Sequence, residues 1–282
     1  MIVIDAQVHV WKSGQSSPHH SRGRPDPFTI PDLEAEMRTA GVAGAILAPP
    51  SWDPDGNDYA LGAARAAPTR YAVTGEIHAI ATPDPTEVMH WCEQPGMRGL
   101  RLNFNTPEKQ RQISDGTATW IWNAAERADV PIMLLIPGGV PLVGEIARRH
   151  PGLRLCIDHL GIPRGAQDEA AFEHLPALLA LARHGNVSVK VGGLPAYASV
   201  DTFPYPSLHA HLRRVYDAFG PERMFWASDL TRMSCSYREV VTLFTEGVAW
   251  LSTADKRLIM GESVCRWLRW HPGHPGGGAA AD

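Results

Sequence analysis

Cysteine is scarce in this sequence, and long apolar runs are missing from it. The four cysteines, Cys92, Cys156, Cys235 and Cys265, form no C-x-x-C pair, which excludes a zinc knuckle or a dithiol redox motif and suits a reducing compartment. No apolar run approaches the roughly 20 residues that span a bilayer, and no basic segment followed by an apolar stretch opens the sequence. We therefore expect a cytoplasmic protein with no membrane partner.

An excess of charge of one sign is also lacking. The formal net charge is -4 and acidic and basic residues are interspersed, so we expect no nucleic-acid partner. No G-x-G-x-x-G motif follows the first apolar run, which argues against a dinucleotide site. Hydrophobic residues are abundant instead: they make up 44% of the 282 residues, enough for a sizeable core.

Short apolar runs alternate with amphipathic segments along most of the chain. Nearly continuous apolar runs are typical of parallel strands that helices cover on both faces. Eight of them predict a (β/α)₈ TIM barrel, an α/β fold, as a single domain over residues 1–270, with an open doubly wound sheet as the alternative. A tail rich in Gly and Ala, residues 271–282, is predicted to be disordered. The runs are Ile2–Ile4, Gly44–Leu47, Tyr71–Ile77, Gly99–Phe104, Val130–Ile136, Leu153–Ile157, Val187–Val191 and Met224–Ala227.

Polar residues follow several of these runs where the predicted strands end. In parallel barrels the site lies at the carboxyl ends of the strands, so these residues are candidates for one shared site. The long segment Lys12–Pro31 after the first run predicts a loop over that face, and whether its His19 and His20 contribute is left open. The candidates are Gln7, His9 and Trp11 after strand one, Arg101 on strand four, His159 after strand six, Lys190 on strand seven, and Asp229 and Arg232 after strand eight.

Four segments together resemble the amidohydrolase superfamily, in its amidohydrolase-2 branch. They are Ile4–Trp11, Gly96–Phe104, Ile157–Gly161 and Arg223–Asp229, and they occur in the family's order over nearly the whole chain. The branch includes lactonases that act on carboxylated lactones, such as 2-pyrone-4,6-dicarboxylate lactonases, and metal-dependent decarboxylases. Because Asp158 and His159 are adjacent, only one is expected to face the interior, and the resemblance selects His159.

The sequence departs from that family at two positions where the family usually has metal ligands. Strand one has Gln7-Val8-His9 in place of His-x-His, and Ile132–Pro137 offers no Lys or His. A neutral amide oxygen is a poor ligand beside imidazole or carboxylate. We therefore expect no metal cofactor. The alternative is one divalent ion, zinc or manganese, held by His9, His159 and Asp229.

The expected reaction is the hydrolysis of a carboxylated lactone, or of a related cyclic carbonyl compound, in the catabolism of aromatic or sugar acids. Asp229 is predicted to take a proton from the attacking water, while His9, His159 and Gln7 polarise the carbonyl.

Four further residues are predicted to bind a small anionic substrate: Arg101 through its planar fork, Lys190 and Arg232 through their charge, and Trp11 as an aromatic wall. Two alternatives stay open: a metal-dependent decarboxylase or hydratase of an aromatic or unsaturated acid, and a barrel that binds a ligand without turnover. The sequence also leaves open whether the chain forms a homo-oligomer.

Overall fold

Eight parallel strands form the centre of the protein, in a computed structural model that describes residues 1–12, 23–53, 55–77 and 80–273. Each strand pairs with the next along the chain, so their order in the sheet is their order in the sequence. The predicted (β/α)₈ barrel is therefore confirmed. The strands are β1 Ile4–Val8, β2 Gly44–Leu47, β3 Tyr71–Glu76, β4 Met97–Asn103, β5 Ile132–Leu135, β6 Leu155–Ile157, β7 Val187–Gly192 and β8 Met224–Ala227.

The barrel is nearly closed where β8 lies beside β1. The backbone N–H of Asp229 donates to the carbonyl of Gln7 at 3.2 Å. The buried carboxylate of Asp5 accepts the N–H of Ser228 at 2.9 Å and that of Gln7 at 3.0 Å, and its other oxygen accepts the Tyr237 hydroxyl at 2.6 Å. Asp5 thus joins the first and last strands.

The first strand lies further along the chain than the sequence indicated. The apolar run predicted Ile2–Ile4, whereas the strand covers Ile4–Val8. It includes the polar residues Asp5 and Gln7. Asp5 is hydrogen-bonded across the junction of β8 and β1, and Gln7 is hydrogen-bonded to other side chains inside the barrel. Its pairing with β2 is irregular between Asp5 and Val8.

Helices connect the strands, mostly where the amphipathic patterns predicted them. Between β6 and β7, the amphipathic segment that ends at His184 is divided between two short helices and a 3₁₀ turn. Pro176 lies at the start of the second, where a missing N–H is tolerated. The helices are α1 Ile30–Ala40, α2 Gly56–Ala66, α3 Pro85–Met89, α4 Pro107–Ser114, α5 Thr119–Arg127, α6 Val140–Arg149, α7 Asp168–Phe172, α8 Leu175–Ala180, α9 Pro206–Phe219, α10 Tyr237–Thr242, α11 Thr253–Arg257 and α12 Ser263–Leu268.

Two apolar clusters hold this architecture. The larger one packs strands against helices around the barrel. The smaller one combines strand residues such as Ile46, Met133 and Phe225 with Val264 and Leu268 of α12.

Two predictions concern segments that the structure describes only in part. Most of the predicted tail, residues 274–282, lies outside the described residues, as do His19 and His20 of the first loop. Among the described helices, none combines the length and the apolar composition that crossing a bilayer requires.

Candidate active site

A cavity of about 470 Å³ opens at the carboxyl ends of the strands. Five residues that the sequence predicted for the site line it: His9, Arg101, His159, Asp229 and Arg232. They come from four different strand ends, and the fold brings them together around one carboxylate.

Asp229 provides that carboxylate and is 1% exposed. Its Oδ1 lies 3.2 Å from Nε2 of His9, and its Oδ2 lies 3.5 Å from Nε2 of His159. Arg232 donates to Oδ2 at 3.0 Å. Burial alone raises the pKa of Asp229, but the neighbouring imidazoles and the Arg232 guanidinium outweigh it and hold that pKa well below its usual range. The group is therefore ionised at neutral pH.

The two imidazoles are both oriented by backbone carbonyls. Nδ1 of His9 lies 2.6 Å from the carbonyl oxygen of Ala48, and Nδ1 of His159 lies 3.1 Å from that of Gly192. Because a carbonyl oxygen only accepts, we assign a proton to each Nδ1 and direct each Nε2 to Asp229. Burial lowers the pKa of His159 to about 4, so its Nε2 carries a lone pair at neutral pH.

Gln7 lies behind these three groups and does not line the cavity. Its Nε2 is 3.2 Å from Nε2 of His159, 3.3 Å from Nε2 of His9 and 3.5 Å from Oδ1 of Asp229. Its Oε1 accepts a hydrogen bond from Nζ of Lys190 at 2.8 Å. The amide therefore connects a buried ammonium to the histidine and aspartate cluster.

Asp158 compensates two buried cations at once. Its Oδ1 accepts from Nζ of Lys190 at 2.6 Å, and its Oδ2 accepts from Nε of Arg101 at 2.9 Å. Burial raises the pKa of Asp158, but these two cations outweigh the effect and hold that pKa far below its usual range. The result is a buried triad, of which Arg101 and Asp158 line the cavity and Lys190 does not.

The expectation that only one of Asp158 and His159 faces the interior is wrong, because both line the cavity. Strand alternation ends at Ile157, and the backbone then takes left-handed conformations at His159 (φ 50°) and Leu160 (φ 56°). Such residues do not alternate like those of a strand, so two successive side chains point to the same side. Asp158 is thus a site residue that was not predicted from the sequence. The predicted cations Arg101 and Lys190, for which the sequence indicated no carboxylate partner, were a signal for it.

Two residues predicted to bind substrate lie elsewhere. Lys190 is fully buried, and its described contacts are Gln7, Asp158 and the sulfur of Met133. Trp11, three residues after the end of β1, is also fully buried in the core. Its indole N–H donates to Asp26 at 2.8 Å. Neither lines the cavity, so both support residues that do. For Trp11 that residue is Trp52, whose ring it contacts edge-on at 5.7 Å between centroids.

Arg232 and Tyr197 both line the cavity and lie beside each other. The guanidinium carbon of Arg232 lies 5.7 Å from the centroid of the Tyr197 ring, a cation–π distance. The sequence reading missed Tyr197 because it followed strand seven only to Val191. Arg164 lies at the same cavity and is exposed.

Comparison with known proteins identifies the family. The chain matches the amidohydrolase family over residues 4–269, and it therefore belongs to that family. The predicted resemblance, and with it an amidohydrolase-type enzyme, is confirmed. An L-fucono-1,5-lactonase from Burkholderia ambifaria is 28% identical over 234 residues, which are 80% of this chain and 79% of that protein.

Solved structures show the same fold. An amidohydrolase from Burkholderia multivorans, solved with bound HEPES, superposes with a TM-score of 0.82 at 23% identity, over 96% of this chain and 100% of that one. A second structure from that organism contains zinc and has a TM-score of 0.79 at 21% identity, with the same coverage. A structure from Pseudomonas putida, assigned as a 2-pyrone-4,6-dicarboxylic acid hydrolase, has a TM-score of 0.71 at 21% identity, over 95% and 97% of the chains.

Amidohydrolases commonly bind a divalent metal ion, so the atoms around Asp229 decide whether one fits here. Within the described ranges, no group of three or more His, Cys, Asp or Glu side chains is arranged to hold a metal ion. His9, His159 and Asp229 converge, but the fourth atom among them is the amide nitrogen of Gln7, which donates hydrogen bonds and is no ligand. The donor set as arranged does not fit a divalent ion.

Proposed function

We propose that this amidohydrolase opens a lactone ring by attack of water, with Asp229 as the base. The observation that carries the proposal is an ionised carboxylate beside a neutral imidazole Nε2 at the bottom of an open cavity. The carboxylate accepts hydrogen bonds, which is what a water molecule needs in order to be held and deprotonated, while the lone pair of the imidazole accepts from the Gln7 amide. The names of two of the related proteins, a fuconolactonase and a pyrone dicarboxylate hydrolase, support a lactone as substrate.

Asp229 takes up one proton during the reaction and returns it before the reaction ends. The water oxygen forms a bond to the lactone carbonyl carbon while one of its protons passes to Asp229. The tetrahedral intermediate then breaks its bond to the ring oxygen, and the proton returns to that oxygen. The His159 ring lines the cavity beside Oδ2 of Asp229 and bounds the place that the water occupies.

Arg232 is placed to stabilise the oxyanion, because its guanidinium lines the cavity next to the carboxylate of Asp229. His9 lines the same cavity, and its predicted role in polarising the carbonyl stays part of the proposal. Gln7 was expected to polarise the carbonyl directly. Its amide hydrogens face the cluster instead, so we assign it to holding the cluster in place.

The charge of the substrate depends on which cations are already compensated. Arg101 pairs with Asp158, lies opposite Glu76 in the β3–β4 register, and shares Asp158 with Lys190. Since Arg232 likewise pairs with Asp229, the buried charges nearly balance.

An anionic substrate therefore remains part of the proposal, with its carboxylate at the open end of the cavity. Arg164 is exposed there. The lactone ring itself occupies the balanced, deeper part.

We also propose that these side chains catalyse the reaction without a metal ion. The alternative is one zinc or manganese ion held by His9, His159 and Asp229. A cytoplasmic location stays a prediction. It is supported by the four cysteines, all of which carry free thiols.

A lactone panel tests the proposed reaction. Ring opening releases a proton at neutral pH, so a pH-stat assay with paired lactones, with and without a carboxylate, should show turnover of at least one pair. Asp229→Asn should lower that turnover by about 10²–10⁴-fold and change ligand affinity far less, because the substitution removes the base and keeps the shape. Asp217→Asn, the same change on an exposed carboxylate of α9, is the matched control.

Two results would contradict the proposal. Unchanged turnover in Asp229→Asn would reject Asp229 as the base. Release of CO₂ from carboxylated aromatics, with every lactone left intact, would favour a decarboxylase instead.

A further inference from the structure

We propose that Lys190 is a positioning residue that fixes the Gln7 amide with its NH₂ group toward His9, His159 and Asp229, and that this orientation keeps a divalent cation out of the cluster. The inference concerns the same site as the proposed lactone hydrolysis, but it does not depend on which lactone is the substrate.

The orientation of the Gln7 amide follows from what an ammonium can do. Nζ of Lys190 lies 2.8 Å from one end of that amide, and an ammonium only donates hydrogen bonds. The atom facing it must therefore be the amide oxygen. Rotation of the amide by 180° would bring two sets of donor hydrogens together in a buried place, where an unsatisfied donor costs about 1–3 kcal/mol.

Lys190 is itself held on several sides. It is fully buried, and besides Gln7 it donates to Asp158 at 2.6 Å and contacts the sulfur of Met133 at 3.1 Å. Asp158 is fixed in turn by Arg101. The ammonium cannot turn away from Gln7 without losing its carboxylate, so the orientation of the amide is built into the barrel.

The nitrogen end of the Gln7 amide occupies the position that a fourth ligand would take in a tetrahedral metal site. Its nitrogen lies 3.2–3.5 Å from Nε2 of His159, Nε2 of His9 and Oδ1 of Asp229. His9 and His159 lie 3.2 and 3.5 Å from the two oxygens of Asp229. Ligands at about 2.1 Å from a tetrahedral ion are about 3.4 Å apart, which is nearly the same spacing.

The hydrogens of the Gln7 amide point at the atoms that a cation would need. They already satisfy the lone pair of His159 and approach Asp229, and the ammonium behind the amide adds a positive charge that repels a second cation. An atom with a lone pair at the same position would favour the cation instead. Whether the amide presents its nitrogen or its oxygen therefore decides whether the cluster accepts hydrogen bonds or binds a metal ion.

Gln7→Glu tests the amide part of the proposal. A carboxylate can accept from Lys190 with one oxygen and present the other to the cluster as a ligand. We expect Zn²⁺ to bind this variant with one-to-one stoichiometry in isothermal titration calorimetry, at least about 100-fold more tightly than the wild type. Gln167→Glu adds a carboxylate to the same cavity away from the cluster and should bind Zn²⁺ like the wild type. Wild-type protein that binds one Zn²⁺ as tightly as Gln7→Glu would overturn the proposal.

Lys190→Met tests the positioning part. The substitution removes the ammonium, which can only donate hydrogen bonds. The Gln7 amide is then free to turn its oxygen to the cluster, and Zn²⁺ should bind about tenfold more tightly than to the wild type. If this variant does not fold, Lys190→Gln replaces it, because a second amide can accept as well as donate and also frees Gln7. A folded Lys190 variant, as judged by circular dichroism, that binds Zn²⁺ no more tightly than the wild type would show that Lys190 has no such role.

Discussion

Asp158 should be the most sensitive charged residue of the barrel interior, because it compensates two cations. Asp158→Asn leaves Lys190 and Arg101 buried with only neutral partners at that position. Removing one partner from a buried ion pair lowers the free energy of unfolding by about 3–5 kcal/mol. Lys190→Met is less damaging, since Asp158 keeps Arg101 and the new side chain lies beside Met133, and we expect a loss of about 1–3 kcal/mol.

The double variant makes the prediction quantitative. In Asp158→Asn/Lys190→Met only Arg101 lacks its carboxylate, so the combined loss should be smaller than the sum of the two single losses by about 1–3 kcal/mol. Urea denaturation at pH 7, followed by circular dichroism, gives all three values. The matched control is the exposed pair Arg213 and Asp217 of α9, whose double-variant cycle should show a coupling below about 1 kcal/mol.

Additive losses for Asp158 and Lys190, within about 0.5 kcal/mol, would refute this reasoning. They would mean that the two side chains do not share one charge balance, despite the 2.6 Å between them.

Three further results are expected. The folded pKa of His159 is lowered to about 4, so only the unfolded chain binds its proton between about pH 6.5 and 4, and the stability that His159 contributes is lost as pH falls through that window. The difference in unfolding free energy between wild type and His159→Asn should shrink by about 2 kcal/mol from pH 7 to pH 5, and a constant difference would contradict the assignment. Asp5→Ala, which leaves three buried donors without an acceptor, should lower the unfolding free energy by about 3–6 kcal/mol in urea denaturation, and Asp5→Asn by less. Arg101→Lys keeps a cation for Asp158 but loses the planar fork, so it should raise KM for the lactone about 10–100-fold with little change in kcat; an unchanged KM would exclude Arg101 from substrate binding.

Much of this protein could be predicted from its sequence. The alternation of apolar runs with amphipathic segments indicated the barrel, because parallel strands buried on both faces need nearly continuous apolar residues. Since parallel strands all end on the same face, the polar residues at their ends had to approach one another. His9, His159 and Asp229 were correctly brought to one cavity in this way.

Three details were decided only by the tertiary structure. Asp158 faces the cavity because the backbone leaves the strand conformation at His159, and no local pattern announces that turn. Trp11 lies in the core, because the direction of β1 beyond its last strand residue depends on what packs around it.

The partner of Lys190 is the third such detail. A lysine at the end of a strand predicts positive charge in the barrel, but whether it meets the substrate or another side chain depends on distances across the barrel. Lys190 donates to Gln7 at 2.8 Å and to Asp158 at 2.6 Å, although both are far from it in the sequence, and only closure of the sheet creates these hydrogen bonds. Sequence periodicity describes which face of a strand a side chain occupies, whereas contacts inside a barrel depend on the register and curvature of all eight strands together.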